Sequence, residues 1–373
     1  MLHVKLGYSF TASASARTQL ENPLFDMLAA IHRSGSLAQA ARELNFSYRH
    51  VWGAIKEWET QLGSPLIDWE RGKRARLSRF GEKLLFAEQL ARTRLAPQIE
   101  NLVNELERGF ALAFDRGAHV VSMMASHDLA LPRLKDFMAQ EAQLHLDLHF
   151  AGSIDCLEAL SRGDCMLAGF HISEDRAPGS VTQKTFKRLL KPGRHKLVNF
   201  VRREQGLMVA RGNPQQISGV PDLAQRPLRY VNREAGSGTR VEFDQILTRL
   251  GLRPESIQGY ERSEPTHLAV AAAIAAGQAD AGMGIRAAAA HFGLDFIPLL
   301  QEQYYFACLK DTLAEPAMQR LLQLLCGAQW RSLVDDLAGY DPRNAGEVVS
   351  LKEALPWYQF KTEKARPAQL NAA

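Results

Sequence analysis

The sequence predicts an α/β protein in two parts, a helical N-terminal third followed by a longer region in which short strands alternate with helices. Three observations carry this expectation. Residues Asn22 to about Leu62, and again Phe80 to Phe110, place apolar side chains at helical period with few breakers besides Pro97. From His119 onward short apolar runs alternate with helical segments, as in a parallel-sheet unit, and a boundary is expected near Ala113 to Gly117. The 373 residues accommodate two or three compact domains at roughly 100–200 residues each.

Composition removes several classes. Hydrophobic residues make up 46% and charged residues 23% of the chain, values that provide for folded cores and argue against wholesale disorder. The longest nearly uninterrupted apolar stretch, Leu268 to Ala276, is stopped by Gly277, Gln278 and Asp280, well short of the ~20 residues of a membrane span. Lys5, Tyr8 and Ser9 interrupt any apolar segment of a secretory signal, so a cytoplasmic protein without membrane attachment is expected. Cys156, Cys165, Cys308 and Cys326 form no CxxC pair; the expectation is buried, reduced thiols and no metal site. With a net charge of only +4, affinity for nucleic acid must come from local clustering. Six basic residues (Arg71, Lys73, Arg74, Arg76, Arg79, Lys83) against Glu82 supply one such cluster.

The first helical region reads as a helix-turn-helix. Ser36 with Gln39 three residues on forms a capping box, and Ala40 and Ala41 permit close helix packing. The helix ends near Asn45. Ser47 caps a second helix on which Val51, Ile55, Trp58 and Leu62 share the buried face, while Tyr48, Arg49, Trp52 and Lys56 lie opposite. A second helix exposing basic and aromatic groups at its start suits the DNA major groove. A generic helical hairpin would not require the basic stretch that follows.

The order of motifs here, a Gly-Ser-Leu start, Ala-Ala-x-x-Leu, a Ser-led helix ending in W-E-x-x-L-G, then P-L-I, a basic segment and L-S-R-F-G, resembles the LysR-type winged helix. It equally resembles the N-terminal domain of molybdate-responsive regulators, in which Trp52 and the tyrosine after the capping serine, Tyr48, also recur. The resemblance covers about Asn22 to Leu85. It implies a β-wing over Asp68 to Leu77, phosphate contacts from Lys73, Arg74 and Arg76, and a linker helix, Phe80 to Phe110, that pairs two protomers.

In the α/β part, strands are predicted at His119 to Ala125, His145 to Phe150, Cys165 to His171, Gly206 to Ala210 and Leu228 to Val231. Small hydroxyl residues follow them at helix starts: Ser126 with His127, Gly152 with Ser153, and Ser263 and Thr266 before the Ala-rich helix. Helix N-termini with free N–H groups and hydroxyls favour an anion, though each such residue alone reads as a cap. The strongest element is Tyr230 to Arg240, YVNREAGSGTR. Gly236 and Gly238 let the backbone approach a ligand, Asn232, Ser237 and Thr239 add polar groups, and Arg233 and Arg240 add positive forks. Either arginine could instead brace the loop, Arg240 especially because it sits one turn into a helix.

This loop resembles that of type 2 periplasmic-binding-protein domains, most closely those fused to molybdopterin biosynthesis proteins; Gly277 to Gly284 and Gly339 to Asp341 fit too, and the resemblance spans about His119 to Leu351. It implies two lobes, about 117–199 with a return after 300, and 200–299, closing on a small anionic effector. Molybdate, tungstate or a molybdenum-cofactor species is the favoured class; neutral donors suit the oxyanions, while the arginines leave room for a phosphate-bearing cofactor. A sensor of organic carboxylates and a molybdenum-cofactor carrier or insertion protein are the alternatives. Enzymatic motifs are missing: there is no HExxH, G-x-S-x-G or Walker sequence, and the consecutive Ser126, His127 and Asp128 point different ways.

The expected architecture is therefore an α/β chain with a winged helix-turn-helix (1–79), a linker or dimerisation helix (80–112), a two-lobed periplasmic-binding-protein-like sensor (117–351) and a tail (352–373). Its expected partners are operator DNA, the effector and a second copy of the chain, as dimer or tetramer.

Overall fold

The computed structural model describes residues 10–11, 19–20, 22–68, 74–114, 119–140, 144–173 and 179–358. An N-terminal helix-turn-helix followed by mixed α/β structure is what they form. Helices Asn22–Ser34, Leu37–Glu43 and Tyr48–Leu62 enclose a core that includes Leu28, Ile31, Ala40, Val51 and Ile55, all fully buried. Strands Ile67–Asp68 and Arg76–Leu77 pair antiparallel as the wing. Ser36 and Ser47 both cap, accepting from Gln39 N at 3.3 Å and His50 N at 3.1 Å. The capping box at Ser36 is only half made, because the Ser36 N–H donates to Ser34 Oγ at 3.2 Å. Asn45, at φ +58°, ends the second helix in the left-handed region that asparagine tolerates. Leu62 is half-buried, unlike Val51, Ile55 and Trp58. The linker helix runs Arg79–Phe114 and continues through Pro97.

The chain divides into two compact units: residues 1–116, 207–234 and 255–297 form one, and residues 117–206, 235–254 and 298–373 the other. In the first, strand Tyr230–Arg233 pairs parallel with Ser263–Glu264 and with Ala281–Ile285. The Ala-rich helix His267–Ala275 packs closely on them; a Cβ at Gly282 would come within 2.5 Å of Val270. The linker helix lies against this helix, and Arg94 grips Glu264 through both carboxylate oxygens at 2.8 and 2.5 Å.

In the second unit, strand His119–Ala125 pairs parallel with Leu144–Phe150 and Leu167–Ser173, and residues Glu302–Ala307 run antiparallel to the latter. Tyr340–Asp341 and Val348–Ser350 add antiparallel to the strand His195–Val209. Helix Gly238–Leu250, expected with 200–299, belongs to this unit because its buried Glu242 and Gln245 bond to Thr182 and Ser173. Cys156, Cys165 and Cys308 are buried as expected, whereas Cys326 is exposed at the end of the helix Pro316–Cys326. Among the described residues no helix is long and apolar enough to cross a membrane, and no His, Cys, Asp or Glu cluster could hold a metal.

Candidate functional site

Two surfaces collect the residues singled out from sequence. The first is the recognition helix Tyr48–Leu62. Tyr48 and Trp52 are 51% and 43% exposed, and Arg49 is exposed beside them. Lys56 is engaged differently: its Nζ donates to Glu59 at 2.5 Å, and Glu59 in turn accepts from Leu66 N at 2.8 Å and Ile67 N at 3.2 Å. These bonds and the lysine hold the Glu59 carboxyl below its usual range even though partial burial opposes them most. Lys56 thereby secures the wing's first strand. On the wing, Arg74 and Arg76 are exposed; Arg71 and Lys73 lie outside the described residues.

The second surface is in the unit of residues 117–206, 235–254 and 298–373. Ser237 caps helix Gly238–Leu250, accepting from Arg240 N at 3.3 Å, while Gly236 occupies φ +85°. Glycine at 238 is obligatory, because a Cβ there would lie 2.4 Å from His171 Nε2. Gly152, which precedes helix Ser153–Arg162, is in tight but less severe contact with this loop: its Cβ would stand 3.3 Å from the Gly236 carbonyl oxygen. Two helix N-termini therefore meet. Ser153 is fully buried there and its Oγ has no hydrogen-bond partner. Ser126 Oγ lies 3.3 Å from His171 Nδ1 and 3.2 Å from the Tyr304 hydroxyl, and His127 packs its ring 5.0 Å from that of Phe150. Thr239 Oγ1 accepts from Gln205 Nε2 at 3.1 Å, and Gln205 also donates to Glu302 at 2.6 Å.

Behind this loop is a buried charge cluster that sequence reasoning missed. Arg203 pairs with both Asp128 and Glu302, all three with no exposure, and Tyr340 donates to Asp128 at 2.7 Å. Desolvation pushes the Glu302 carboxyl up against the pull of Arg203. A Ser126–His171–Glu302 relay does not serve as a hydrolytic triad: His171 Nε2 stands 3.7 Å from Glu302, beyond hydrogen-bond reach, and Glu302 is committed to Arg203 and Gln205.

Of the remaining predicted ligand residues, Arg240 stays in this unit, while Asn232, Arg233, Ser263 and Thr266 fall in the other. Asn232 donates to Tyr260 O and accepts from Arg233 N. Arg233 is the bracing arginine: Nε donates to Glu264 O at 3.3 Å and Nη2 to Pro265 O at 2.8 Å. Arg240 lies 3.5 Å from Asp244 on its own helix. Thr266 caps the Ala-rich helix and reaches Thr93 O at 3.5 Å, and Ser263 is an exposed strand residue.

Comparison with known proteins agrees with this layout. Residues 134–326 match the family model described as PBP superfamily domain, and residues 24–82 match that of bacterial regulatory helix-turn-helix proteins of the lysR family. The uncharacterized protein YvgK of Bacillus subtilis is 33% identical over 227 residues, covering 61% of this chain and 73% of YvgK. An uncharacterized protein encoded upstream of the 2Fe-2S ferredoxin gene of Clostridium pasteurianum is 32% identical over 111 residues, 30% of this chain and 98% of the relative. Among solved structures, a full-length BenM variant aligns over 86% of this chain and 99% of its own, with 16% identity and a TM-score of 0.42. The chain belongs to the PBP superfamily and is a LysR-family DNA-binding transcriptional regulator with a ligand-binding, PBP-like domain.

Proposed function

We propose that this regulator responds to a small tetrahedral oxyanion of the molybdate or tungstate kind, held where helices Ser153–Arg162 and Gly238–Leu250 begin. The observation that carries the reading is the Ser153 hydroxyl, fully buried without a partner beside the Gly236 loop. A buried hydroxyl left unsatisfied costs stability unless a ligand completes it, and the surrounding N–H groups and helix dipoles favour negative charge. Neutral donors suit an oxyanion. Arg233, whose positive fork suggested a larger phosphate-bearing cofactor, spends its Nε and Nη2 donors on backbone carbonyls, which favours the oxyanion over the cofactor. Calorimetry on the full chain with molybdate, tungstate, sulfate, phosphate and formate is the test. Molybdate and tungstate should bind, and Ser153→Ala should weaken them by ~1–3 kcal/mol. Binding of none of the five, or equal affinity in the variant, rejects the site; formate alone would turn the reading toward organic carboxylates.

On the DNA side, Tyr48, Arg49 and Trp52 enter the major groove and Arg74 and Arg76 contact phosphates, and the protein acts in the cytoplasm. An exposed basic wing has no use in a cofactor carrier. Arg74→Ala should weaken cognate and random duplexes alike and lower the slope of log affinity against log salt by about one. Arg49→Ala should instead cost ~1–3 kcal/mol on the cognate site and relax one base position. An unchanged salt slope for Arg74→Ala would remove the wing from the interface.

The protein acts as a dimer through the linker helix. Leu95, Leu102, Leu106 and Phe110 are exposed on it at spacings of seven, four and four, a single helical face. Leu102→Glu should yield monomers in sedimentation analysis and lose affinity for paired half-sites; an unchanged mass would place the interface elsewhere.

A further inference from the structure

The start of the recognition helix and the residue just before its cap carry more exposed aromatic surface than a polar groove requires. Phe46 is 40% exposed and rests its ring 4.7 Å from that of His50, and Tyr48 and Trp52 stand exposed one turn apart. None of this builds the domain core, which Val51, Ile55 and Trp58 form from the opposite face. Exposed apolar groups clustered on one helix face mark a recognition surface. The charge around them selects the partner: Arg49, Arg74, Arg76 and Arg79 are exposed, and Arg74 packs its side chain against Gly35 at the start of the helix-turn-helix. That basic frame fits duplex DNA. Among the groups that the bases present in the major groove, the C5 methyl of thymine is the bulky apolar one. Four residues of helix rise about 6 Å, and stacked bases are separated by about 3.4 Å, so side chains at 48 and 52 address positions about two base steps apart.

We infer that Tyr48 and Trp52 read thymine methyl groups, so that each half-site of the operator contains two thymines about two base steps apart that are recognised through their methyls. The inference rests on the DNA-binding reading and specifies its substrate. The full chain is used to select its preferred duplex from a random pool, and each thymine of the selected site is then replaced in turn by deoxyuridine, which removes only the methyl. Two positions per half-site should each lose about four-fold in affinity, the worth of burying one methyl group. In Trp52→Ala or Trp52→Gln, one of those positions should become indifferent to uracil, and in Tyr48→Ala the other. Both residues are exposed, so these variants retain the fold. Uracil tolerated at every position, or penalties unchanged in the variants, overturns the inference while leaving DNA binding intact. Failure to enrich any duplex overturns the DNA-binding reading and the inference with it.

Discussion

Arg203→Met is expected to destabilise the protein by ~3–5 kcal/mol in chemical denaturation. The guanidinium has no exposure and lies between Asp128 and Glu302, which are equally enclosed, with the Tyr304 ring 5.4 Å away. Burial alone lowers the guanidinium's affinity for its proton, and the two carboxylates more than reverse that, so the charge is held firmly. Removing it strands two carboxylates in an enclosed site, where one must take up a proton or admit water. Converting all three residues together, Arg203→Met with Asp128→Asn and Glu302→Gln, buries no charge and should recover most of the loss. A single variant within about 1 kcal/mol of the parent would contradict a buried, two-sided ion pair. The cluster also bears on the proposed ligand loop. Glu302 fixes Gln205, and Gln205 donates to Thr239, so Arg203→Met should also change oxyanion affinity.

The helix-turn-helix was legible because its signals are local. Caps lie three residues from the N–H groups they accept, and the buried face repeats every three or four residues, so Ser36, Ser47, Val51, Ile55 and Trp58 could be placed from spacing alone. The predicted strand at Gly206 to Ala210 is only the end of a 15-residue strand, His195–Val209. Its middle reads Arg-Arg-Glu-Gln, which looks like a surface loop until Arg203 is seen with Asp128 and Glu302, 75 and 99 residues away in sequence. A long-range ion pair leaves no periodic trace. The predicted ligand residues divide in the same way. Gly236, Gly238 and Ser237 were readable because a left-handed turn and a close approach each favour glycine and a helix start favours serine. Which arginine braces the loop depended on where the Glu264 and Pro265 carbonyls came to lie, and that is set by the parallel pairing of strands.

Glu242→Gln is expected to stabilise the protein above neutral pH and to leave it nearly unchanged in mild acid. Glu242 is buried on helix Gly238–Leu250, and its Oε1 accepts from Thr182 Oγ1 at 2.9 Å and Ser173 N at 3.3 Å. Desolvation raises its pKa from 4.5 to about 7, outweighing those hydrogen bonds, and Glu302 pushes in the same direction. Between these two values the folded protein keeps a proton that the unfolded chain has released. Stability therefore falls as pH rises from about 4.5 to about 7, and the loss is complete above that. At ~1.4 kcal/mol per unit the full effect is about 2–3 kcal/mol once relaxation of the site is allowed for. Glutamine keeps the accepting oxygen and carries no charge, so it removes the penalty without removing the bonds to Thr182 and Ser173. Melting curves of parent and variant should coincide near pH 4.5 and separate progressively up to pH 8, the variant melting higher. Parallel curves across that range would mean that Glu242 titrates like an exposed carboxylate, and its burial against Thr182 would then have to be abandoned.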